Sequence, residues 1–255
     1  MDPQRVRLYQ VEALVLHQQD YAEADRILTL LTPQGKLRAV AKGIRRPTSH
    51  RVGHLDLFMR VGLQLAKGRN LDIITQAECL ESFEGLGGDV LRFTYVCYVC
   101  ELLDYMTQEE EQHAIYDLAI GTLRRLNTEA DLALWVRYFE LTLLRYAGYQ
   151  PELYHCVRCG NDITAVVNYL SLDQGGLLCP NCVIPQARQV SIHAQKLMRF
   201  LQRCPARDVG RLSVEQATRI EAEELMLDYI QHVLEREIKS AVMLQRVRTL
   251  QQPAC

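Results

Sequence analysis

The sequence lacks any long apolar run, and this absence argues against an integral membrane protein. No stretch of the 255 residues approaches the roughly 18 consecutive apolar residues that a membrane-spanning helix requires. The polar N-terminal segment MDPQRVRLYQ is not followed by an apolar core segment, so we expect no signal peptide. We therefore expect a cytoplasmic protein, in which nine cysteines do not indicate a disulfide framework.

Motifs for catalysis are also missing. The sequence contains no P-loop, no G-x-S-x-G and no H-E-x-x-H. Three acidic residues in the first predicted loop, Asp20, Glu23 and Asp25, could hold a metal ion, although a solvated turn is the safer interpretation. We therefore expect a protein that is not an enzyme, with a metal-dependent nuclease built on these three acids as an alternative.

Acidic residues are scarce in one segment of a chain whose formal net charge is −2. Residues 36–69 contain nine Lys or Arg and one acidic residue, Asp56. A basic module joined to an acidic remainder predicts a polyanionic partner for the basic part, and the alternative is a solvated charged face. The candidate nucleic-acid-binding residues are the basic side chains Lys36, Arg38, Lys42, Arg45, Arg46, Arg51, Lys67 and Arg69.

Five strand-like runs fill the first eighty residues. They cover 11–17, 26–32, 36–43, 57–67 and 71–79. Alternation is clearest in the fourth run, where five apolar residues are predicted to share one face: Leu57, Met59, Val61, Leu63 and Leu65. Five short strands in about 80 residues predict a five-stranded barrel of the OB type.

The third run predicts which side chains face outward. Leu37, Ala39 and Ala41 alternate towards the core, which leaves Lys36, Arg38 and Lys42 on the outer face with Val40. Aromatic residues are few in this module, where only Tyr9, Tyr21 and Phe58 occur. Binding should therefore depend on backbone phosphates more than on base stacking, with little sequence preference.

Helical periodicity replaces alternation beyond the segment EGLGGDV, residues 84–90, which is predicted to be a linker. Amphipathic helices are predicted over 89–106, 111–126 and 130–148, and again over 191–204 and 213–238. Ser213 and Gln216 match a capping box for the last of these helices.

Two Cys-x-x-Cys pairs lie between the helical halves and predict a metal site. Cys156 and Cys159 are separated from Cys179 and Cys182 by 19 residues, a spacing typical of tetrahedral Zn²⁺ sites. Four thiolates leave no open position on the ion, so the predicted role is structural, with one zinc per chain. A third pair, CYVC at 97–100, lies within an apolar helical pattern and is interpreted as two core thiols.

These features divide the chain into three predicted domains. An OB-fold nucleic-acid-binding domain covers 1–80, an α-helical domain covers 81–150 and 184–255, and a zinc-binding insert covers 151–183. The fold class is thus a multi-domain α+β protein with a five-stranded OB-fold β-barrel, an α-helical domain and an inserted four-Cys zinc ribbon. An RNA-binding or transcription factor with the same zinc ribbon and barrel is an alternative to a DNA-binding protein.

The order of these parts resembles the RecO family of bacterial recombination mediators. The resemblance rests on VLHQQDYAEADRILTLLTPQGKLRAVAKGIRRPTS and GRNLDIITQAECLESF in the basic module, and on CVRCG and CPNC in the insert. It covers nearly the whole chain.

This resemblance implies a function in DNA gap repair. It implies binding of single- and double-stranded DNA, annealing of complementary strands and, with RecR, loading of RecA onto DNA coated by the single-strand-binding protein SSB. It further implies that the acidic tail of SSB docks on the helical domain, for which the candidate cations are Arg124, Arg125 and Arg137.

Overall fold

The computed structural model describes residues 8–46 and 55–251. The chain forms two compact units, Met1–Asn127 and Thr128–Cys255. The candidate Arg51 lies outside the described residues. No helix in the described part of the chain is long and apolar enough to cross a membrane.

The first unit contains a five-stranded sheet that closes on itself as a barrel. Its strands are β1 (Leu8–Tyr21), β2 (Asp25–Thr32), β3 (Gly35–Ala41), β4 (Arg60–Ala66) and β5 (Asp72–Glu81). Their order is β1-β2-β3-β5-β4, and β1 pairs with both β2 and β4. Only the β3–β5 pair is parallel. The interior is filled by aliphatic side chains from all five strands.

Two helices pack with the barrel in this unit: α1 (Val90–Met106) and α2 (His113–Thr128). The predicted linker forms a single 3₁₀ turn at Glu84–Leu86, and Asp89 then caps α1 by accepting hydrogen bonds from two backbone N–H groups. The division between compact units follows Asn127, one residue before the end of α2. The finer three-domain division stays a prediction.

The loop between α1 and α2 lies against the turn between β2 and β3. Lys36 N–H donates to Gln108 O at 2.6 Å, and Gln112 N–H donates to Pro33 O at 3.0 Å. Gly35, at φ 112°, lies so close that a Cβ atom there would be 2.2 Å from Glu110 O. Only glycine fits this left-handed position beneath the loop.

The predicted face of the fourth strand is correct, but its predicted start is wrong. Val61, Leu63 and Leu65 are buried as expected, whereas β4 begins at Arg60 instead of Leu57. The backbone at Phe58 is left-handed, with φ 66°. This conformation ends the alternation and buries the Phe58 ring edge-on against Phe93 of α1, at 5.5 Å between centroids.

The second unit combines helices with a small sheet. Its helices are α3 (Leu132–Tyr146), α4 (Ile192–Arg203), α5 (Ala206–Val209), α6 (Gln216–Leu234) and α7 (Lys239–Gln251). Helices α3, α4 and α6 pack on one another. Strands β6 (Asn168–Ser171), β7 (Gly176–Leu178) and β8 (Arg188–Val190) form a sheet in the order β7-β6-β8.

The predicted capping box for α6 is wrong. Gln216 is the first residue of α6, and Glu215 occupies the N-cap without a side-chain cap hydrogen bond. The serine that does cap a helix is Ser191, whose Oγ accepts a hydrogen bond from the Ala194 N–H at 3.1 Å at the start of α4.

Candidate nucleic-acid interface and metal centre

The outer face of β3 carries exposed cations, as the alternation predicts. Ala39 and Ala41 are buried in the barrel core, while Arg38 and Lys42 are exposed. Val40, which was expected on the outer face, is also buried. Because a strand rises about 3.3 Å per residue, Arg38 and Lys42 lie about 13 Å apart along the strand.

A groove of about 760 Å³ runs past the start of β3 and the β4–β5 turn. Its lining includes three of the candidate cations, Lys36, Arg38 and Lys67, and also three acids, Glu12, Asp72 and Glu109. Tyr9 and Asn70 line it too. The turn and strand meet because β3 and β5 pair in parallel, with Ala39 opposite Asp72. Arg69 is exposed in the same turn.

One nearly buried carboxylate organises this groove. Asp72 accepts hydrogen bonds from the Tyr9 hydroxyl, from Lys67 Nζ at 2.9 Å and from the Gly68 N–H at 3.2 Å. Burial opposes ionisation of Asp72, but the hydrogen bonds from Tyr9 and Lys67 outweigh burial and lower its pKa. Lys67 Nζ also lies 4.9 Å from the centroid of the Tyr9 ring.

Sequence reasoning missed this Tyr9–Asp72 anchor because Tyr9 and Asp72 are 63 residues apart. The signal available was local: an acid at the first position of β5, five residues after Lys67. The anchor fixes the lysine in the groove, so its charge is presented at a defined place.

At the far end of β3, the following turn presents Lys42, Arg45 and Arg46. Arg45 Nη1 forms an ion pair with Asp20 Oδ2 at 3.3 Å, and the Arg45 N–H donates to Ala24 O at 3.0 Å. These contacts hold the β3 turn against the β1–β2 turn.

Two of the three acids considered for a nuclease site are used in contacts between these turns. Asp20 pairs with Arg26 as well as Arg45, and Asp25 Oδ1 accepts a hydrogen bond from the Gly43 N–H at 2.7 Å. Throughout residues 8–46 and 55–251, the four cysteines are the only group arranged to hold a metal ion. The described residues therefore do not support the alternative of a metal-dependent nuclease built on Asp20, Glu23 and Asp25.

The candidate cations differ in how far their charge is already balanced. Lys36 Nζ turns towards α1, where it donates to Asp104 O at 2.5 Å and lies 3.3 Å from Asp104 Oδ1. In contrast, the exposed side chains of Arg38, Arg46 and Arg69 have no hydrogen bond or ion pair recorded within the described ranges. Among the candidate cations that the structure describes, these three arginines present the least compensated positive charge.

The three helical arginines suggested for an acidic tail lie in different surroundings. Arg124 is exposed and donates from Nε and Nη2 to both carboxylate oxygens of Glu81, at 2.8–3.2 Å. Arg125 is exposed. Arg137 is only 4% exposed and is ion-paired with the buried Glu140. Burial therefore argues against Arg137 as a surface for a docking peptide.

The four cysteines of the second unit converge, as their spacing predicts. Their Sγ atoms all lie within 4.8 Å of one another, and those of Cys159 and Cys179 are 3.9 Å apart. The first knuckle turns at Gly160, at φ 76°, whose N–H donates to Cys156 O at 2.8 Å. The second is a 3₁₀ turn, Pro180–Cys182.

This donor set fits a zinc ion. A tetrahedron with Zn–S bonds of about 2.3 Å has S–S edges of about 3.8 Å, close to the observed separation. Burial opposes ionisation of Cys156, but backbone N–H groups, with that of Cys179 first among them, lower the pKa of Cys156 to about 6. The hydrogen bond with Cys179 raises the pKa of Cys182 to about 12. The four neighbouring thiols therefore do not all ionise unless a cation is bound among them. A divalent cation would favour four thiolates and would join the two knuckles.

The remaining Cys-x-x-Cys pair belongs to the core. Cys100 is buried in α1 and Cys97 is half-buried. Burial raises the pKa of Cys97 to about 11 and that of Cys100 well above its usual value. The interpretation as core thiols is therefore confirmed.

Comparison with known proteins finds two family models that together match most of the chain. A family model described as Recombination protein O N terminal matches residues 6–83, and one described as Recombination protein O C terminal matches residues 87–241. The chain is similar to the DNA repair protein RecO of Roseiflexus sp. (strain RS-1), with 42% identity over 96% of this chain and 88% of the relative.

Similar relatives occur in other bacteria. The DNA repair protein RecO of Nocardioides sp. (strain ATCC BAA-499 / JS614) is 38% identical over 94% of this chain and 100% of the relative. That of Dehalococcoides mccartyi (strain ATCC BAA-2266 / KCTC 15142 / 195) is 34% identical over 92% of this chain and 94% of the relative. The chain therefore belongs to the RecO family of DNA repair proteins.

Proposed function

We propose that this protein is a non-enzymatic recombination mediator that binds single- and double-stranded DNA and anneals complementary strands in DNA gap repair. The observation that carries the proposal is the basic outer face of β3 with its groove, on a barrel whose strand order we assign to the OB fold. Arg38 and Lys42, exposed and about 13 Å apart along the strand direction, suit contacts with separate phosphates.

Backbone contact also explains how such a surface serves annealing. Two strands repel each other as polyanions, and cations bound to both lower that repulsion. The groove offers few aromatic rings beyond Tyr9, so base identity has little influence on binding. A mediator of annealing requires this indifference to sequence, because any gap can be its substrate.

Partner proteins complete the proposed function. Together with RecR, the protein helps to load RecA onto DNA coated by SSB, in the cytoplasm and at the nucleoid. The acidic tail of SSB docks on the helical part, with Arg125 and Arg124 as the accessible cations. The zinc ion is structural, because the four cysteines would fill its coordination shell.

A strand-annealing assay tests this proposal. Complementary oligonucleotides, one coated with SSB, are mixed with the wild-type protein or with Arg38→Glu/Arg46→Glu, and duplex formation is followed by fluorescence. We expect rapid annealing by the wild type and slow annealing by the double variant, while Arg246→Glu on α7 serves as the matched control. Equal annealing by wild type and double variant would contradict the proposal, and a clear preference for RNA over DNA would favour the RNA-binding alternative.

A further inference from the structure

A second acid-free segment lies in the second unit. From Gln174 to Arg207 the sequence contains no Asp or Glu and five Lys or Arg. This charge pattern is similar to that of the barrel segment, but it lies in a unit whose other residues contain more Asp and Glu than Lys and Arg, and it has no part in the barrel.

Helix α4 displays much of this charge on one side. Its buried side, which includes Leu197, Met198 and Leu201, packs in the core of the unit. Its exposed side carries four residues spaced three and four apart, which we call the α4 basic face: His193, Lys196, Phe200 and Arg203. No carboxylate is present on α4.

The charge of this face is not cancelled by neighbouring elements. In the described residues, neither Lys196 nor Arg203 has a recorded ion pair with a carboxylate. The nearby acids of α6 are committed elsewhere, since Glu221 accepts hydrogen bonds from Ser191 and Asp228 pairs with Arg188. The α4 basic face therefore presents its positive charge to solvent.

Aromatic rings are interleaved with these cations. Phe200 is 41% exposed, which is unusual for so apolar a side chain, and lies between Lys196 and Arg203. The guanidinium carbon of Arg203 lies 3.7 Å from the centroid of the Tyr154 ring, which holds that side chain in place. Cations beside an exposed aromatic ring are the combination that binds single strands, through phosphates and base stacking.

The helix is also rigidly mounted. Arg199 Nε donates to Leu153 O at 2.8 Å, Tyr154 Oη donates to Arg199 O at 3.1 Å, and Gln202 Nε2 donates to Pro151 O at 2.9 Å. These bonds attach α4 to the segment that leads into the first cysteine knuckle. A face fixed in this way needs little ordering when a ligand binds.

We propose that the α4 basic face is a second binding surface for single-stranded nucleic acid, separate from the barrel. Lys196 and Arg203 contact phosphates, and Phe200 stacks on a base. Lys196 and Arg203 are seven residues apart, about 10 Å along the helix axis, so they would contact different phosphates of one strand. This inference stands on the second unit alone, and only its use in annealing, where one chain would hold two strands, rests on the proposed function.

The test removes the barrel contribution first. In full-length Arg38→Glu/Arg46→Glu protein, binding of a labelled oligothymidylate is measured by fluorescence anisotropy over a range of salt concentrations. Adding Lys196→Glu and Arg203→Glu should weaken the residual binding about tenfold. The slope of log K against log salt should fall by about 1.4, because each single-strand phosphate contact contributes about 0.7. Phe200→Ala should weaken binding about fivefold or more.

Matched variants separate charge at this site from charge in general. Arg246→Glu, an exposed reversal on α7, should have little effect, and Lys196→Arg should retain binding. Lys196→Gln/Arg203→Gln gives a milder change if the reversals fail to fold, as judged by circular dichroism. Equal losses from Arg246→Glu, or unchanged binding in the α4 variants, would overturn the inference.

Two further outcomes identify what else could be true. If the α4 variants keep oligothymidylate binding but lose an Asp- and Glu-rich peptide, the face is a peptide site and the inference is overturned. If the barrel reversals leave affinity unchanged while the α4 variants lose it, the inference is supported and the barrel's role in the proposed function fails.

Discussion

Two adjacent arginines offer a direct test of how ion pairing sets the contribution of a cation. Arg45 and Arg46 follow β3 and are both exposed, but Arg45 is paired with Asp20 at 3.3 Å. A phosphate at Arg45 must compete with that carboxylate, and an exposed ion pair contributes up to about 1 kcal/mol. Arg46→Gln should therefore weaken binding of single-stranded DNA up to about fivefold more than Arg45→Gln.

Anisotropy titrations at low salt measure this difference, and Asp20→Asn supplies the control. Without the Asp20 carboxylate, Arg45 should contribute as Arg46 does, so that Arg45→Gln and Arg46→Gln should weaken binding equally in that background. The Arg46→Gln variant should also lower the salt slope by about 0.7. If Arg45→Gln in the otherwise native protein lost as much affinity for DNA as Arg46→Gln, or more, the reasoning would be refuted. It would also be refuted if Asp20→Asn left the effect of Arg45→Gln unchanged.

Three other predictions concern metal and stability. Elemental analysis should find one zinc per chain, and Cys159→Ser should lower both the zinc content and the melting temperature. Less than half an equivalent of zinc in wild-type protein never exposed to chelator would contradict the site. Arg137→Met should lower the free energy of unfolding of the second unit by about 3–5 kcal/mol in urea titrations, because it removes the cation paired with buried Glu140. The double variant Arg137→Met/Glu140→Leu should recover most of that stability. A loss below about 1 kcal/mol for Arg137→Met would count against the buried pair. Hydrogen bonding to Arg124 lowers the pKa of Glu81, so the ionised carboxylate stabilises the fold above its ordinary pKa of 4.5 and loses that effect as pH falls. In an acid titration, Arg124→Gln should therefore lose less stability than the wild type. Identical pH profiles would show that the Arg124–Glu81 pair does not contribute to acid sensitivity.

Local patterns in the sequence predict the strands and the metal site well. Alternation along β3 gives the buried Ala39 and Ala41 and the exposed Arg38, because side chains on a strand point to opposite faces. Cysteine spacing gives the ligand cluster, because two short knuckles and four thiols leave few other arrangements. Both signals lie within a few residues of the structure that they predict.

Features that depend on distant residues were not predictable in this way. Lys36 is drawn inward by Asp104, 68 residues away, so alternation alone overstates its availability. The sequence suggests Arg137 as a surface cation, although a helix that places Glu140 three residues later among apolar neighbours is compatible with a buried pair. Phe58 adopts a left-handed backbone that no propensity scale favours, and its burial against α1 supplies the compensation.

The position of the break between compact units, after Asn127, decides how the protein can be dissected. A fragment cut at residue 80 would lose the α1–α2 loop that packs on Gly35, the Asp104 carbonyl that accepts a hydrogen bond from Lys36, and the Phe93 ring that packs on Phe58. The fragment would expose apolar surface and leave Lys36 without its hydrogen bond to Asp104. Weak DNA binding by such a fragment would therefore say little about the intact molecule. Cutting after residue 127 instead keeps the barrel with both helices that brace it.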